Sequence, residues 1–327
     1  MEKMSITTRV FLALSLAGFL VPNRAQVQDV PASAKDDALA RFLAELEKQA
    51  TPTKSLRILL TFRGNIPDPQ GGNALTMKAL LRLESLEEDA DQRGASADEQ
   101  ATGAGKPLRW SRLDVDLTTA QGSLRTEKVR SPDGIKIHQA SELTGERWLS
   151  IDRATMERLD KAARVLGTAG ALPIQGDPTP SAVVGADLVR GLSRAYALEP
   201  GEDVEIDGQA CMALRGKLRG AGAADVGDVP RERPDEVQLF FSKKTRLLVR
   251  MLQFQAGSEL YAVHVRDVDF AAPLQKSRFV LTPPKGVRFV DVFDDELGSL
   301  RLRMELERLD AWERDQKRAG NGDGKDR

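Results

Sequence analysis

Leu75, Met77, Ala79, Leu81 and Leu83 alternate with Thr76, Lys78, Leu80, Arg82 and Glu84. A period of two sends successive side chains to opposite faces, so this stretch is a strand with one apolar face. The pattern returns at Leu56–Phe62, at 108–117, and in shorter runs around Leu124–Val129, Ile135–His138 and Glu146–Ile151. It dominates again from 202 onward, through 204–206, 209–219, 236–242, 246–255 and 260–270. Asp133-Gly134, Gly145, Asp207-Gly208 and Gly257-Ser258 punctuate these runs as hairpin turns do. Strands joined by short turns pair with their sequence neighbours in antiparallel fashion. Phe279–Leu281 begins a last strand that Pro283-Pro284 interrupts.

Helices are few. Asp36 and Asp37 open one at 37–50, where Leu39, Phe42, Leu43 and Leu46 recur at helical spacing. Ala154–Leu166 and Val184–Leu198 read as two more. In 294–318, Leu300, Leu302, Met304 and Leu306 alternate, but the residue types are strong helix formers, and helix is the reading preferred. Helices do not alternate with strands, which argues against a doubly wound parallel sheet. The expected fold is α+β: a large curved antiparallel sheet, an incomplete β-barrel, with helices packed on its concave face. The apolar fraction of 41% suffices for a real core.

The ends read differently. Lys3 and Arg9 precede an uncharged, mostly apolar run from Val10 to Val21, which Pro22 breaks. These twelve residues are too short for a bilayer span, which needs ~20. They match a secretory signal peptide over 1–25, cleaved at Ala25 or further on at Ala34, so a periplasmic protein is expected. Residues 26–36 are a polar lead-in, and 37–293 form the domain. Within it, 85–107 lack aromatics and fill with Glu, Asp, Gln, Gly and Ala, as a solvated insertion would. A helical extension at 294–318 and a disordered tail at 319–327 complete the chain.

The search for chemistry excludes more than it finds. A net charge of −1 gives no electrostatic footprint for nucleic acid. The single cysteine, Cys211, excludes an internal disulfide framework and a thiolate cluster. The two histidines, His138 and His264, have no second His or Cys at ligand spacing and read as hydrogen-bonded structural residues. Gly191-Leu192-Ser193-Arg194-Ala195 lacks the closing glycine of a nucleophile elbow and lies in a predicted helix. Gly220-Ala221-Gly222 starts like a dinucleotide fingerprint, but Asp225 stands where the third glycine belongs. No catalytic residue, metal site or cofactor is expected.

What remains is apolar surface on strands. The sets taken as inward are Leu75/Met77/Ala79/Leu81, Trp110, Leu113/Val115/Leu117, Trp148, Val237/Leu239/Phe241 and Leu247/Val249/Met251. Leu248, Leu252 and Phe254 are apolar on the other face, and a strand apolar on both faces buries both. One reading is ordinary core. The other is an open half-barrel that takes an acyl chain, at roughly 25 cal/mol per Å² of apolar area. Its lining would be Met77, Leu81, Trp110, Trp148, Leu239, Phe241, Val249 and Met251, with methionines supplying adaptable walls.

Arg278-Phe279-Val280-Leu281-Thr282-Pro283-Pro284-Lys285-Gly286-Val287 resembles the closing segment of LolA-type periplasmic lipoprotein carriers. Gly145–Asp152 is similar to that family's Asp-Gly-x-x-Leu-Trp-x-Tyr-Asp strand, with Thr144 in place of the Asp, and Leu108-Arg109-Trp110 to its Pro-x-x-Phe-x-Trp segment. The likeness spans roughly 37–292. It implies an incomplete barrel with a helical lid over an apolar cavity for lipoprotein acyl chains. It also implies a lid contact from a strand arginine, for which Arg82 is the nearest match, although Leu83 replaces the proline that follows in the family. The insertion at 85–107 and the extension at 294–318 depart from the family.

Two classes of function follow. The first is a non-catalytic periplasmic carrier, expected to be a monomer in transient contact with the membrane, whose partner is a lipid or a lipidated protein. The alternative is an envelope structural or regulatory module that uses the same fold to hold a protein partner. Fold does not decide between them.

Overall fold

The computed structural model describes residues 34–48, 54–66, 75–88, 108–166, 183–219 and 234–322. The signal segment 1–25, residues 26–33 of the lead-in, 89–107 of the insertion, the Gly220-Ala221-Gly222 stretch and 323–327 of the tail lie outside the described residues, whereas 34–36 of the expected lead-in fall in a helix, 85–88 of the expected insertion in a strand and 319–322 of the expected tail in a helix.

In chain order the elements are α1 (Ala34–Glu47), β1 (Ser55–Ile66), β2 (Leu75–Glu88), β3 (Leu108–Thr119), β4 (Gly122–Ser131), β5 (Gly134–Ser141) and β6 (Gly145–Asp152). Then come α2 (Arg153–Leu166), α3 (Ala186–Ala195), β7 (Tyr196–Pro200), β8 (Val204–Ile206) and β9 (Gln209–Leu218). The chain continues with β10 (Glu236–Ser242), β11 (Leu248–Gln255), β12 (Ser258–Asp269), β13 (Val290–Asp291) and α4 (Glu296–Gly322). All strands join one sheet, in the order β13-β6-β5-β4-β3-β2-β1-β12-β11-β10-β9-β7, with β8 paired to β9 beside that path. Every pairing is antiparallel except the short one between β13 and β6. β7 and β13 are its two ends, so the sheet is open: an incomplete barrel with helices, as the alternation and turn signals imply.

The turns show why the strands pair as they do. Asp207-Gly208 and Ala256-Gly257 both carry positive φ at both residues, the two-residue hairpin geometry that matches strand twist. Gly134 stands at φ +136°, and a Cβ there would lie 2.2 Å from the carbonyl oxygen of Ile151.

Register assigns the faces. Leu60 lies opposite Leu81, Leu81 opposite Val115, and Phe62 opposite both Ala79 and Val263. Met251 lies opposite Val263 and Leu239, and Leu239 opposite Leu214. These residues share the inner face, the face the helices cover. Over β1–β3 and β9–β12, α1 and α3 form one core with it, and Phe42 meets Phe241 edge-on at 5.7 Å. At the other end, Met156 and Leu159 of α2 and Leu302 of α4 pack on Ile135, Ile137, Leu149 and Ile151. Arg130 holds Asp160 of α2 through both carboxylate oxygens, and Arg147 binds Asp295 at 3.0 Å just ahead of α4.

Two elements differ from the sequence expectations, and a third, ambiguous in its periodicity, follows the preferred reading. The helix expected over Val184–Leu198 ends at Ala195, and Tyr196 turns into edge strand β7 while its hydroxyl donates to the carbonyl of Pro234 at 3.1 Å. Phe279–Leu281 forms no strand: Phe279 closes a 3-10 turn at Lys276–Phe279, and an irregular strap runs on to β13. Its two prolines cannot donate to a ladder, so the chain crosses the outer face without pairing. Residues 294–318, where two periodicities compete, fall mainly in α4.

Candidate functional site

The nine site residues read from the sequence divide between the faces. Met77, Leu81, Leu239, Phe241 and Met251 come together on the inner face under α1 and α3, in one core, each 0–7% exposed. α1 lies over them with Phe42 and Leu46 buried, and its C-terminal end is held by Glu45 to Arg246 at 3.4 Å and by Glu47 to Arg190 of α3. The apolar inner face is thus continuous over β2, β1, β12, β11, β10 and β9, and helices of 14 and 10 residues cover it.

Val249 sits elsewhere. Phe240 pairs with Arg250 and Phe241 with Leu248, so Val249 is an extra residue in a β-bulge. The bulge reverses the parity of β11. Leu248 and Met251 face inward, whereas Val249 packs outside with Cys211, Ala213 and Phe240. The expectation of Leu247, Val249 and Met251 as one inward set is corrected accordingly.

Trp110 and Trp148 also belong to the outer face. Trp110 is an odd number of residues from Leu113, Val115 and Leu117 and therefore points away from them. It packs with Val129 beneath Phe279 and Leu281 of the strap, with Trp148 and Phe289 at the margin of the cluster. Trp148 stacks on His138 at 4.1 Å and meets Phe289 edge-on at 5.7 Å. Phe279 and Leu281, the apolar residues of the Phe-x-Leu-Thr-Pro-Pro motif, thus fasten the strap. Arg82, between inward Leu81 and Leu83, is exposed on the same outer face, on the far side of the sheet from α1 and α3.

A polar network accompanies the strap. Arg112, buried, donates to Asp114 at 2.7 Å, to Glu127 at 2.5 Å and to the carbonyl of Arg278 at 3.1 Å. Arg278 donates to Glu84 at 2.7 Å and Asp114 at 3.3 Å. His138 bridges Glu127 at 2.8 Å and Glu146 at 2.9 Å. Burial pushes the Asp114 carboxyl up, and the Arg112 and Arg278 guanidiniums only partly offset this. Burial also pushes Glu127 up, but the His138 hydrogen bond and the charges of Arg125 and Arg112 prevail and leave it below the usual range. These are charges that hold a chain segment onto a sheet. Sequence reading missed them because polar residues alternating with a buried face look merely solvated. Their signal was a strand with Arg112, Asp114 and Asp116 in one row.

The other candidates for chemistry are occupied. The Ser193 hydroxyl donates to the carbonyl of Arg190 at 2.8 Å within α3. His264 lies 3.3 Å from Asp207, and burial together with Arg266 and Arg250 pushes it down. Cys211 is buried, which raises its thiol. Among the described residues no three His, Cys, Asp or Glu side chains gather as a metal site would require, and no helix is long and apolar enough to cross a membrane.

Beside the network lies an open cleft of about 820 Å³ between β1–β2 and the strap, lined by Arg57, Leu59, Arg82, Glu84, Arg112, Asp267, residues 273–275, Ser277 and Arg278.

No protein-family model matches the chain, and no curated protein matches it. Solved structures do. A putative outer membrane lipoprotein-sorting protein domain from Vibrio parahaemolyticus is 10% identical at a TM-score of 0.29, covering 75% of this chain and 97% of that one. The Mycobacterium tuberculosis lipoprotein LppX is 11% identical at 0.30, covering 73% and 98%. A LolA superfamily protein from Nitrosomonas europaea is 12% identical at 0.20, covering 75% and 98%. At these identities and TM-scores the likenesses carry no argument about this chain, whose fold is read from its own strands and helices.

Proposed function

We propose that this chain is a non-catalytic, exported binding protein whose inner sheet face takes the acyl chains of a lipid or lipidated protein when α1 lifts from it. One observation carries the reading: an apolar face continuous across six strands is closed by two short helices rather than by a second sheet. α1 inserts Phe42 and Leu46 into that face, and hydrocarbon is chemically equivalent to what they supply. Met77 and Met251 adapt to an irregular guest, and Leu81, Leu239 and Phe241 complete the lining.

The alternative, an envelope structural or regulatory module, is favoured by a different observation. With α1 in place the five lining side chains are buried against the protein's own residues. The readings part on whether α1 leaves. Cysteines at Glu45 and Arg246, whose side chains meet at 3.4 Å, allow a short bismaleimide to tether α1 to the β10–β11 turn. The carrier takes up a fluorescent fatty acid saturably before tethering and not after. Equal uptake in both states, or none in either, removes the carrier reading. Capture of a protein partner with no uptake supports the module.

A further inference from the structure

The cleft beside the strap holds guanidinium donors that the network does not use. Arg112 is fully engaged with Asp114, Glu127 and a backbone carbonyl. Arg278 commits Nε and Nη2, leaving Nη1 without a hydrogen-bond partner among the described residues. Arg57 donates once, to Asp269 at 3.3 Å. Arg82 is exposed and has neither a hydrogen-bonded nor an ion-paired acid among the described residues. Asp114, opposite it in the register, is already taken by Arg112 and Arg278. Glu84 is buried against Arg278, and Asp269, Asp114 and Glu127 already answer Arg57, Arg278 and Arg112, so Arg82 is the cation left over, with Asp267 the remaining acid on the cleft wall.

We propose that this cleft binds a phosphate-bearing anion, gripped by Arg82 with Arg57 and the free Nη1 of Arg278. A guanidinium presents a planar fork of donors that fits two phosphate oxygens at once. Leu59 and Leu274 give the cleft an apolar side beside its guanidiniums. A volume of about 820 Å³ admits a headgroup as readily as a free ion. The shared chemistry is the phosphate, whether carried by a phospholipid or free in solution. The site lies on the opposite face from α1 and is independent of the acyl-chain reading, so phosphate binding survives the α1 tether.

Calorimetric titration with inorganic phosphate and with a soluble short-chain phosphatidylglycerol tests it. Saturable binding that weakens with added salt is expected for at least one probe. Arg82→Gln weakens it by on the order of tenfold, and Arg82→Lys, which keeps the charge and loses the fork, by less. Because Arg82 has no partner among the described residues, Arg82→Gln keeps the thermal midpoint of the parent protein. Ser277→Glu, an exposed position on the same wall, adds a repelling carboxylate and abolishes binding without touching an arginine. Tighter binding of phosphatidylglycerol than of phosphate identifies a headgroup, and equal binding identifies the free ion. Absence of saturable binding by both probes overturns the site, as does binding unchanged in both Arg82→Gln and Ser277→Glu.

Discussion

Arg112 shows how much one residue can hold. It joins Asp114 and Glu127 across β3 and β4 and ties the strap through the carbonyl of Arg278. Removing one member of a buried charge set leaves the others uncompensated, a loss of about 3–5 kcal/mol. Arg112→Leu is therefore expected to lower unfolding free energy by that amount in chemical denaturation, and a loss below about 1 kcal/mol would mean that water already solvates the site. Glu127 adds a pH signature. Its folded pKa lies below 4.5, so its contribution is present above pH 4.5 and disappears as pH falls through the lower folded value. Glu127→Gln should accordingly be less stable than the parent at pH 7, with a deficit that shrinks as the solution is acidified below pH 4.5. A deficit that stays constant with pH would separate the carboxylate from the acid limb.

At the scale of elements, alternation and turn residues made the strands and most hairpins legible: Asp133-Gly134 and Asp207-Gly208 close β4–β5 and β8–β9 as expected. Gly134→Ala tests the tightest of these. Its positive φ and the nearby Ile151 carbonyl predict a cost above about 1–3 kcal/mol, read from the thermal midpoint. Within the candidate site, Met77, Leu81, Leu239 and Phe241 were legible because the two-residue period runs unbroken along β2 and β10, and Met251 faces inward beyond the bulge of β11. Val249 was not legible, because a bulge is a local event that a two-residue repeat cannot announce. Trp110 was legible in principle, since its odd spacing from Leu113 already put it on the other face. Its apolar character suggested the core and obscured that count. The strap was read as a strand because its apolar residues resemble one. Only the outer cluster with Trp110 and Val129 explains why they are apolar without being paired.

For the whole molecule, the inner face divides into two apolar lobes with different partners. α1 and α3 cover one, and α2 and α4 cover the other. Between them, β4 presents Thr126, Lys128 and Arg130 inward, a polar seam that Arg130 uses to anchor α2. The second lobe is held by ion pairs as well as packing, including Arg158–Asp310 and Lys161–Glu313 between its helices, whereas α1 rests on Phe42, Leu46 and two pairs near its end. The seam and the uneven fastening make α1 the element expected to open first, with the α2–α4 lobe as a fixed frame. Leu302→Ala, in the buried contact of α4, should cost about 2–5 kcal/mol of global stability and leave the amide exchange of α1 unchanged under native conditions. Phe42→Ala should do the reverse, speeding exchange in α1 more than in β5 and β6. If both substitutions accelerate exchange in both lobes equally, the sheet opens as one unit and α1 has no separate motion with which to admit a guest.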